Sequence, residues 1–272
     1  MSIPASGNEV LDGVLADLAA ESRALDDLVA ALPEDRWATP TPAEGWDIKH
    51  QVVHLAWTDE ASVLAATDKA GWDALVLAAI DDPSGFVDQA AAAGASATGV
   101  EILERWRHSR ETLWEVLATH PAGEKLPWFG PPMSPTSMAT ARFMETWAHA
   151  LDVAEALDAV PAPTDRVRHV VHLGVRTRRF AFTTNGLEPP AEEVKVSLTA
   201  PSGEIWEIGP ADAAESLTGS AYDFALLVTQ RRHRSDTDLV ARGAGAERWL
   251  DIAQAFAGPP GTGRQPAQEG AR

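Results

Sequence analysis

Leu11, Leu15, Leu18, Leu25, Leu28 and Leu32 recur at the spacing of one helix face, and Pro33 closes the run. Three more such runs follow before residue 160, and no other feature limits the possible folds of this chain so tightly. The second begins at Asp47 and carries Ile48, Val52, Val53, Leu55 and Leu64; the third runs through Ile102, Leu103, Trp106, Leu113, Trp114 and Leu117. The fourth spans Ser134 to Leu157, with Ser134 or Ser137 available as its cap. Four apolar stripes of this length can be buried only against one another, so the spacing predicts a helical bundle. Residues 69 to 97 read as a shorter helical excursion, broken at Asp82-Pro83 and at Gly94. Thr39 to Gly45 and Leu126 to Pro132 are too rich in proline for helix. The second of these loops holds Trp128 and Phe129, which are expected to pack over something.

Asp158 to Asp165, with two prolines, reads as a linker, and the pattern changes beyond it. A helix is expected from Arg166 to about Phe182. Val194 to Leu198 alternates in strand fashion, Pro201-Ser202-Gly203 turns, and Ile205 to Ile208 returns as the hairpin partner. Leu217 suggests a further strand, Tyr222 to Thr229 a helix, Leu239 to Ala241 a strand, and Glu247 to Phe256 a closing helix. The expected architecture is mainly α: an N-terminal up-down four-helix bundle over 1–160, a small α+β domain over 166–258, and a Gly- and Pro-rich tail over 259–272 expected to be disordered.

Acidic residues outnumber basic ones 40 to 22, giving a formal charge of -18, which argues against nucleic acid or anionic lipid as a partner. No apolar run is long enough for a membrane span, and the Met-Ser-Ile-Pro start lacks the features of a secretory signal, so a cytoplasmic monomer or homodimer acting on a small molecule is expected. Cysteine is absent, which excludes disulfides, thiolate ligands and a cysteine nucleophile. Any thiol chemistry must use a thiol from outside.

Glu145 and His149 are four apart on one helix and share a face, so both can reach one ion. A third donor must come from another helix, and His54, flanked by Val53 and Leu55, is the natural supplier. Two imidazoles and one carboxylate suit zinc and leave a coordination position open. Taken alone, a Glu-x3-His pair is more often a solvated helix face. His50 is four before His54 and forms an alternative chelating pair, although it lies nearer the helix start. Asp152 either orients His149 or is a surface residue. His108 and His120 are expected to be exposed, and His169 and His172, three apart at the start of the second domain, to face the domain interface rather than bind metal. Arg231, Arg232 and Arg234 cluster with His233 as either an anion-binding patch or a solvated turn.

Gly45-Trp46 followed by His54-Leu55, then Glu145-Thr-Trp-Ala-His149-Ala-Leu-Asp152, resembles the DinB-like metal-binding four-helix bundles. Within them the chain is most similar to the mycothiol-dependent maleylpyruvate isomerase family. Leu217-Thr-Gly219-Ser-Ala-Tyr-Asp223 leading to Arg231 resembles that family's C-terminal pattern. Trp128-Phe-Gly-Pro-Pro132 and Thr229-Gln-Arg-Arg-His233 resemble an actinobacterial subgroup described as metal-binding. The resemblance implies zinc on His54, Glu145 and His149, a functional arginine at Arg231 with Arg232 as its neighbour, and a thiol such as mycothiol presented as thiolate to a small electrophile. The expected function is therefore a zinc-dependent isomerase or transferase. A thiol-independent metal enzyme on the same scaffold and a non-catalytic metal-binding protein are the alternatives, the latter requiring a fourth protein ligand such as His50.

Overall fold

The computed structural model describes residues 3–83, 85–258 and 260–267. The chain divides into two compact units, Met1–Pro161 and Ala162–Arg272. In the first, the helices are α1 (Glu9–Val29), α2 (Ile48–Thr67), α3 (Lys69–Asp81), α4 (Phe86–Gly94), α5 (Gly99–Thr119) and α6 (Pro135–Ala156). Side-chain caps start the four long ones. Asn8 accepts from the backbone of Val10 and Leu11, Asp47 and His50 form a capping box, Thr98 and Glu101 form another, and Ser134 caps α6 just before Pro135 at its first position.

The long helices make a four-helix bundle in which α1 packs mainly on α6, and α2 packs on both α5 and α6. Leu25, Val29, Ile48, Val52, Leu55, Ile102, Trp106 and Val153 are among the buried residues of its core. Each such side chain contributes about 1.5–3 kcal/mol by leaving water. Three ion pairs, two of them sharing Asp26, link these helices. Asp26 on α1 accepts from Arg107 and Arg110 on α5, each at 2.6 Å, and Arg142 on α6 donates to Asp59 on α2 at 2.9 Å. Gly99 opens α5 against the Trp37 indole, where an added Cβ would meet the ring at 2.3 Å, so no larger residue fits without displacing the ring.

The second unit begins with a 3-10 turn (Asp165–Val167), α7 (Arg168–Arg176) and α8 (Arg178–Thr184). The single helix expected over 166–182 is broken at Thr177, whose hydroxyl donates to the Gln254 carbonyl at 2.8 Å, a tertiary contact that local sequence does not announce. Strands β1 (Val194–Thr199), β2 (Ile205–Ile208), β3 (Glu215–Ser220) and β4 (Val240–Arg242) form a sheet in the order β2-β1-β3-β4. The β1–β2 hairpin is antiparallel, β1 and β3 are parallel, and β3 and β4 are antiparallel. Helix α9 (Ala221–Val228) makes the crossover from β3, and α10 (Ala244–Ile252) starts and ends earlier than the expected Glu247 to Phe256. Within the expected tail, Pro259 and 268–272 lie outside the described residues. Residues 260–267 form neither helix nor strand, and the Ala267 amide donates to Asp236 at 2.8 Å. Among the described residues no helix is long and apolar enough to cross a membrane.

Candidate metal centre

Helices α2 and α6 bring His54, Glu145 and His149 together, with one donor atom from each lying within 4.8 Å of the others. The Nε2 atoms of His54 and His149 both face Glu145 Oε2, at 3.3 and 3.2 Å. Tetrahedral coordination at bond lengths of roughly 2.0–2.1 Å separates donors by about 3.3 Å, so the two spacings to Glu145 are compatible with ligands sharing one ion. His54 is buried, and Glu145 and His149 are partly exposed. The spacing on α6 places both of its donors on one face, while packing against α2 supplies the third.

The hydrogen bonds around His149 have a fixed direction. The Trp46 carbonyl can only accept, and the Thr41 hydroxyl donates to it at 2.8 Å. Thr41 Oγ1 then accepts from Gln51 Nε2, also at 2.8 Å, which turns the amide oxygen of Gln51 towards His149 Nδ1. That ring nitrogen must carry the proton, leaving the neutral imidazole with its Nε2 lone pair aimed at Glu145. A lone pair opposite a carboxylate oxygen is a repulsive arrangement that only a proton or a cation relieves. His54 Nδ1 is buried and meets no hydrogen-bond partner, so nothing on that side fixes which nitrogen of this ring carries the proton. The donor set therefore fits a divalent cation. Burial pushes the Glu145 carboxyl up, but the hydrogen bonds and charge that His149 and His54 supply when protonated on Nε2 outweigh it and hold the group well below the usual range, so these protons do there what a cation would do.

The surroundings are built by the same loop and helices. Gly45, at φ 78°, turns the chain so that Trp46 lies over the triad, with ring centroids 5.3 Å from His54 and 5.9 Å from His149. The Trp46 indole N–H is held by Asp88 at 3.0 Å. One turn along the same interface, Arg142 also donates to Thr58 Oγ1 at 2.5 Å, and that hydroxyl donates to the His54 carbonyl at 2.7 Å.

His50 is engaged elsewhere: its Nδ1 pairs with Asp47 at 2.6 Å in the helix cap, and it does not belong to the cluster. Asp152 is buried at 2% exposure, which corrects the surface reading. His108 is exposed as expected, whereas His120 is half-buried with Nε2 out of solvent. His169 and His172 belong to the second unit. The arginine cluster is not a shared anion patch. Arg232 pairs with Asp223, and Arg234 with Glu247 and Asp251. Arg231 is half-buried and donates to the Thr229 carbonyl at 2.7 Å. Gln51 is the residue that sequence reasoning missed. Its signal was a polar side chain three residues before His54 on a face otherwise made of Ile48, Val52 and Leu55.

Comparison with known proteins places these features in a family. Residues 18–154 match the model of the mycothiol maleylpyruvate isomerase N-terminal domain. Two uncharacterized proteins, from two strains of Mycobacterium tuberculosis, are each 58% identical to this chain over 250 residues, covering 92% of it and 97% of their own length. Among solved structures, the fold is similar to that of the mycothiol-dependent maleylpyruvate isomerase, with TM-score 0.58 and 16% identity over 92% of this chain and 96% of that one. A histidine-to-alanine mutant of that isomerase is similar with TM-score 0.57 and 15% identity, over the same shares of both chains.

Proposed function

Because the chain belongs to the mycothiol maleylpyruvate isomerase N-terminal domain family, we propose that it is a metal-dependent isomerase or transferase that uses an exogenous low-molecular-weight thiol, such as mycothiol, on a small electrophilic substrate. The observation that carries this reading is the His54–Glu145–His149 donor set. Among the described residues it offers three protein ligands and not four, which suits a site that exchanges its remaining ligand. A divalent ion held there, zinc by the donor chemistry, supplies Lewis acidity that lowers the pKa of a bound thiol or water.

The chain's own residues set up that chemistry. Glu145 stays ionised, and Gln51 holds His149 with its Nε2 lone pair available. Trp46 and Trp57 flank the triad and limit water around it. In the isomerase form of the reaction, the thiolate sulfur bonds to one carbon of an activated double bond and the π pair moves onto the conjugated carbonyl. Rotation about the resulting single bond, return of that pair and cleavage of the carbon–sulfur bond yield the other geometric isomer and regenerate the thiolate. Nothing is oxidised or reduced.

The test has two parts. Elemental analysis of the purified protein should find about one equivalent of metal per chain, lost in His54→Ala and His149→Ala. Zinc-loaded protein with mycothiol should then isomerise maleylpyruvate or a related electrophile, and a chelator should abolish turnover. Turnover that survives the chelator overturns the metal mechanism. Calorimetric titration that gives no heat with millimolar mycothiol overturns the thiol step.

A further inference from the structure

A continuous aromatic surface leads away from the triad. Trp57 lies 6.1 Å from His54, Phe86 packs edge-on against Trp57 at 5.2 Å, and Phe129 packs against Phe86 at 5.9 Å. Trp72 and Trp128 back Phe129 at 4.9 and 5.3 Å and stack on each other at 5.7 Å. Trp72 is buried, while Trp57, Phe86 and Trp128 are only partly covered and Phe129 is 40% exposed. Packing among themselves does not explain why four of these rings keep open faces. The loop of Trp128 and Phe129 is pinned by a two-way backbone bridge between Leu126 and Met133 at 2.8 and 2.9 Å, so the rings are held out by a fixed strut.

On α2 and α6, the helices that carry the triad, the arginine and lysine charge is already paired. The single cation on α2, Lys49, is bound by Glu34 at 2.7 Å, and the single cation on α6, Arg142, is buried against Asp59. The Trp46 indole N–H is held by Asp88. Apart from an ion on the triad, a small dianion would find no charge complement on these helices, whereas a flat apolar body would find partly open ring faces.

We propose that this aromatic wall binds the body of the substrate, and that the preferred electrophile carries a flat, conjugated, largely apolar body, such as that of an aryl-substituted enone, in addition to the reacting group at the triad. This rests on the reading above only for the reacting atoms; the wall itself needs no metal. Phe129 and Trp57 are its specificity-determining residues, the first at the outer end and the second next to the ion ligands.

The experiment titrates trans-4-phenyl-3-buten-2-one and, separately, maleate into full-length protein with and without zinc, followed by calorimetry and saturation-transfer NMR. The chain has no cysteine, so the enone meets no protein thiol. The enone should bind both forms at least tenfold more tightly than maleate. Phe129→Ala and Trp57→Leu should each weaken it about three- to tenfold, the range expected for loss of one aromatic contact, while zinc content and circular dichroism stay unchanged. Phe129 is exposed in a loop, so its variant keeps the assay meaningful if Trp57→Leu folds poorly. Maleate binding as tightly as the enone, or enone affinity that neither variant changes, overturns the proposal. Failure of the metal reading is seen separately, as zinc content that His54→Ala does not lower.

Discussion

Replacing Gln51 by Leu should weaken zinc binding by about 10- to 100-fold while leaving the bundle folded. The side chain is fully buried, and it makes two hydrogen bonds, one to Thr41 and one to His149. Leucine keeps the volume nearly constant, so the cavity cost is small. What is lost falls mainly on the loaded state. With Nε2 committed to an ion, His149 must keep its proton on Nδ1, and in the variant that buried N–H has lost its Gln51 acceptor. An unmet buried donor costs about 1–3 kcal/mol, and outer-shell partners of metal-bound histidines are typically worth 10–100-fold in affinity. In the metal-free variant, with the Gln51 oxygen gone, the ring is free to move its proton to Nε2 and donate to Glu145, so global stability should fall by less than the binding energy does. Competition against a chromophoric chelator at pH 7 gives the dissociation constant, and urea unfolding of the metal-free protein gives the stability. Gln51→Glu should retain or tighten zinc binding, because a carboxylate accepts the same proton more strongly. A folded Gln51→Leu protein whose zinc affinity stays within twofold of the parent would refute the argument from directed hydrogen bonds.

Three further outcomes follow from particular contacts. His50→Ala should cost about 1 kcal/mol in urea unfolding through loss of the α2 capping box, yet leave zinc stoichiometry intact; a loss of bound metal would make His50 a ligand after all. Asp59→Leu should destabilise the protein by about 3–5 kcal/mol by leaving Arg142 charged and unpaired at 2% exposure, and Asp59→Leu with Arg142→Met should recover most of that loss. Asp26 is held below its usual pKa chiefly by Arg107, with Arg110 also opposing the effect of burial. Its folded-state pKa is depressed, so its contribution to stability is present above the unfolded carboxylate value of about 3.9 and is lost as pH falls through the folded value. Unfolding free energy measured from pH 6 down to pH 2 should therefore fall less steeply in Asp26→Asn than in the parent, and equal slopes would contradict this.

The parts of the site that could be read from sequence were those set by helical period. Glu145 and His149 must share a face at a spacing of four, and the four apolar runs required a bundle that could bring His54 to them. What could not be read depends on partners distant in sequence. Thr177 interrupts a helix because its hydroxyl reaches the Gln254 carbonyl, 77 residues away. Arg232 and Arg234 resemble an anion site until the fold sets Asp223, Glu247 and Asp251 against them. Trp128 and Phe129 were recognisable as rings needing cover, but nothing local named Trp72 and Phe86 as their partners. Gln51 lies between these cases: its position on an apolar face was visible, and its contact with a histidine 98 residues later was not.

The placement of polar groups along α2 and α6 ties these observations together. Arg142, Glu145 and His149 follow one stripe of α6, and Gln51, His54, Thr58 and Asp59 follow one stripe of α2, with contacts running across the gap at each level. A bundle selected for stability alone would fill that seam with leucine, because buried ion pairs rarely outperform well-packed apolar residues of similar volume. Elsewhere the bundle uses that solution, at Leu25, Val29, Ile48, Val52, Ile102 and Trp106. Apart from Asp26 with Arg107 and Arg110 between α1 and α5, the ion pairs and imidazoles inside the bundle gather where the candidate ligands are, which is where a functional demand outweighs a stability one. In this arrangement Arg142 and Asp59 fix the separation of the two helices one turn from the triad. The donor atoms then sit at coordination spacing because of that buried ion pair and the Gln51 bridge, before any ion arrives.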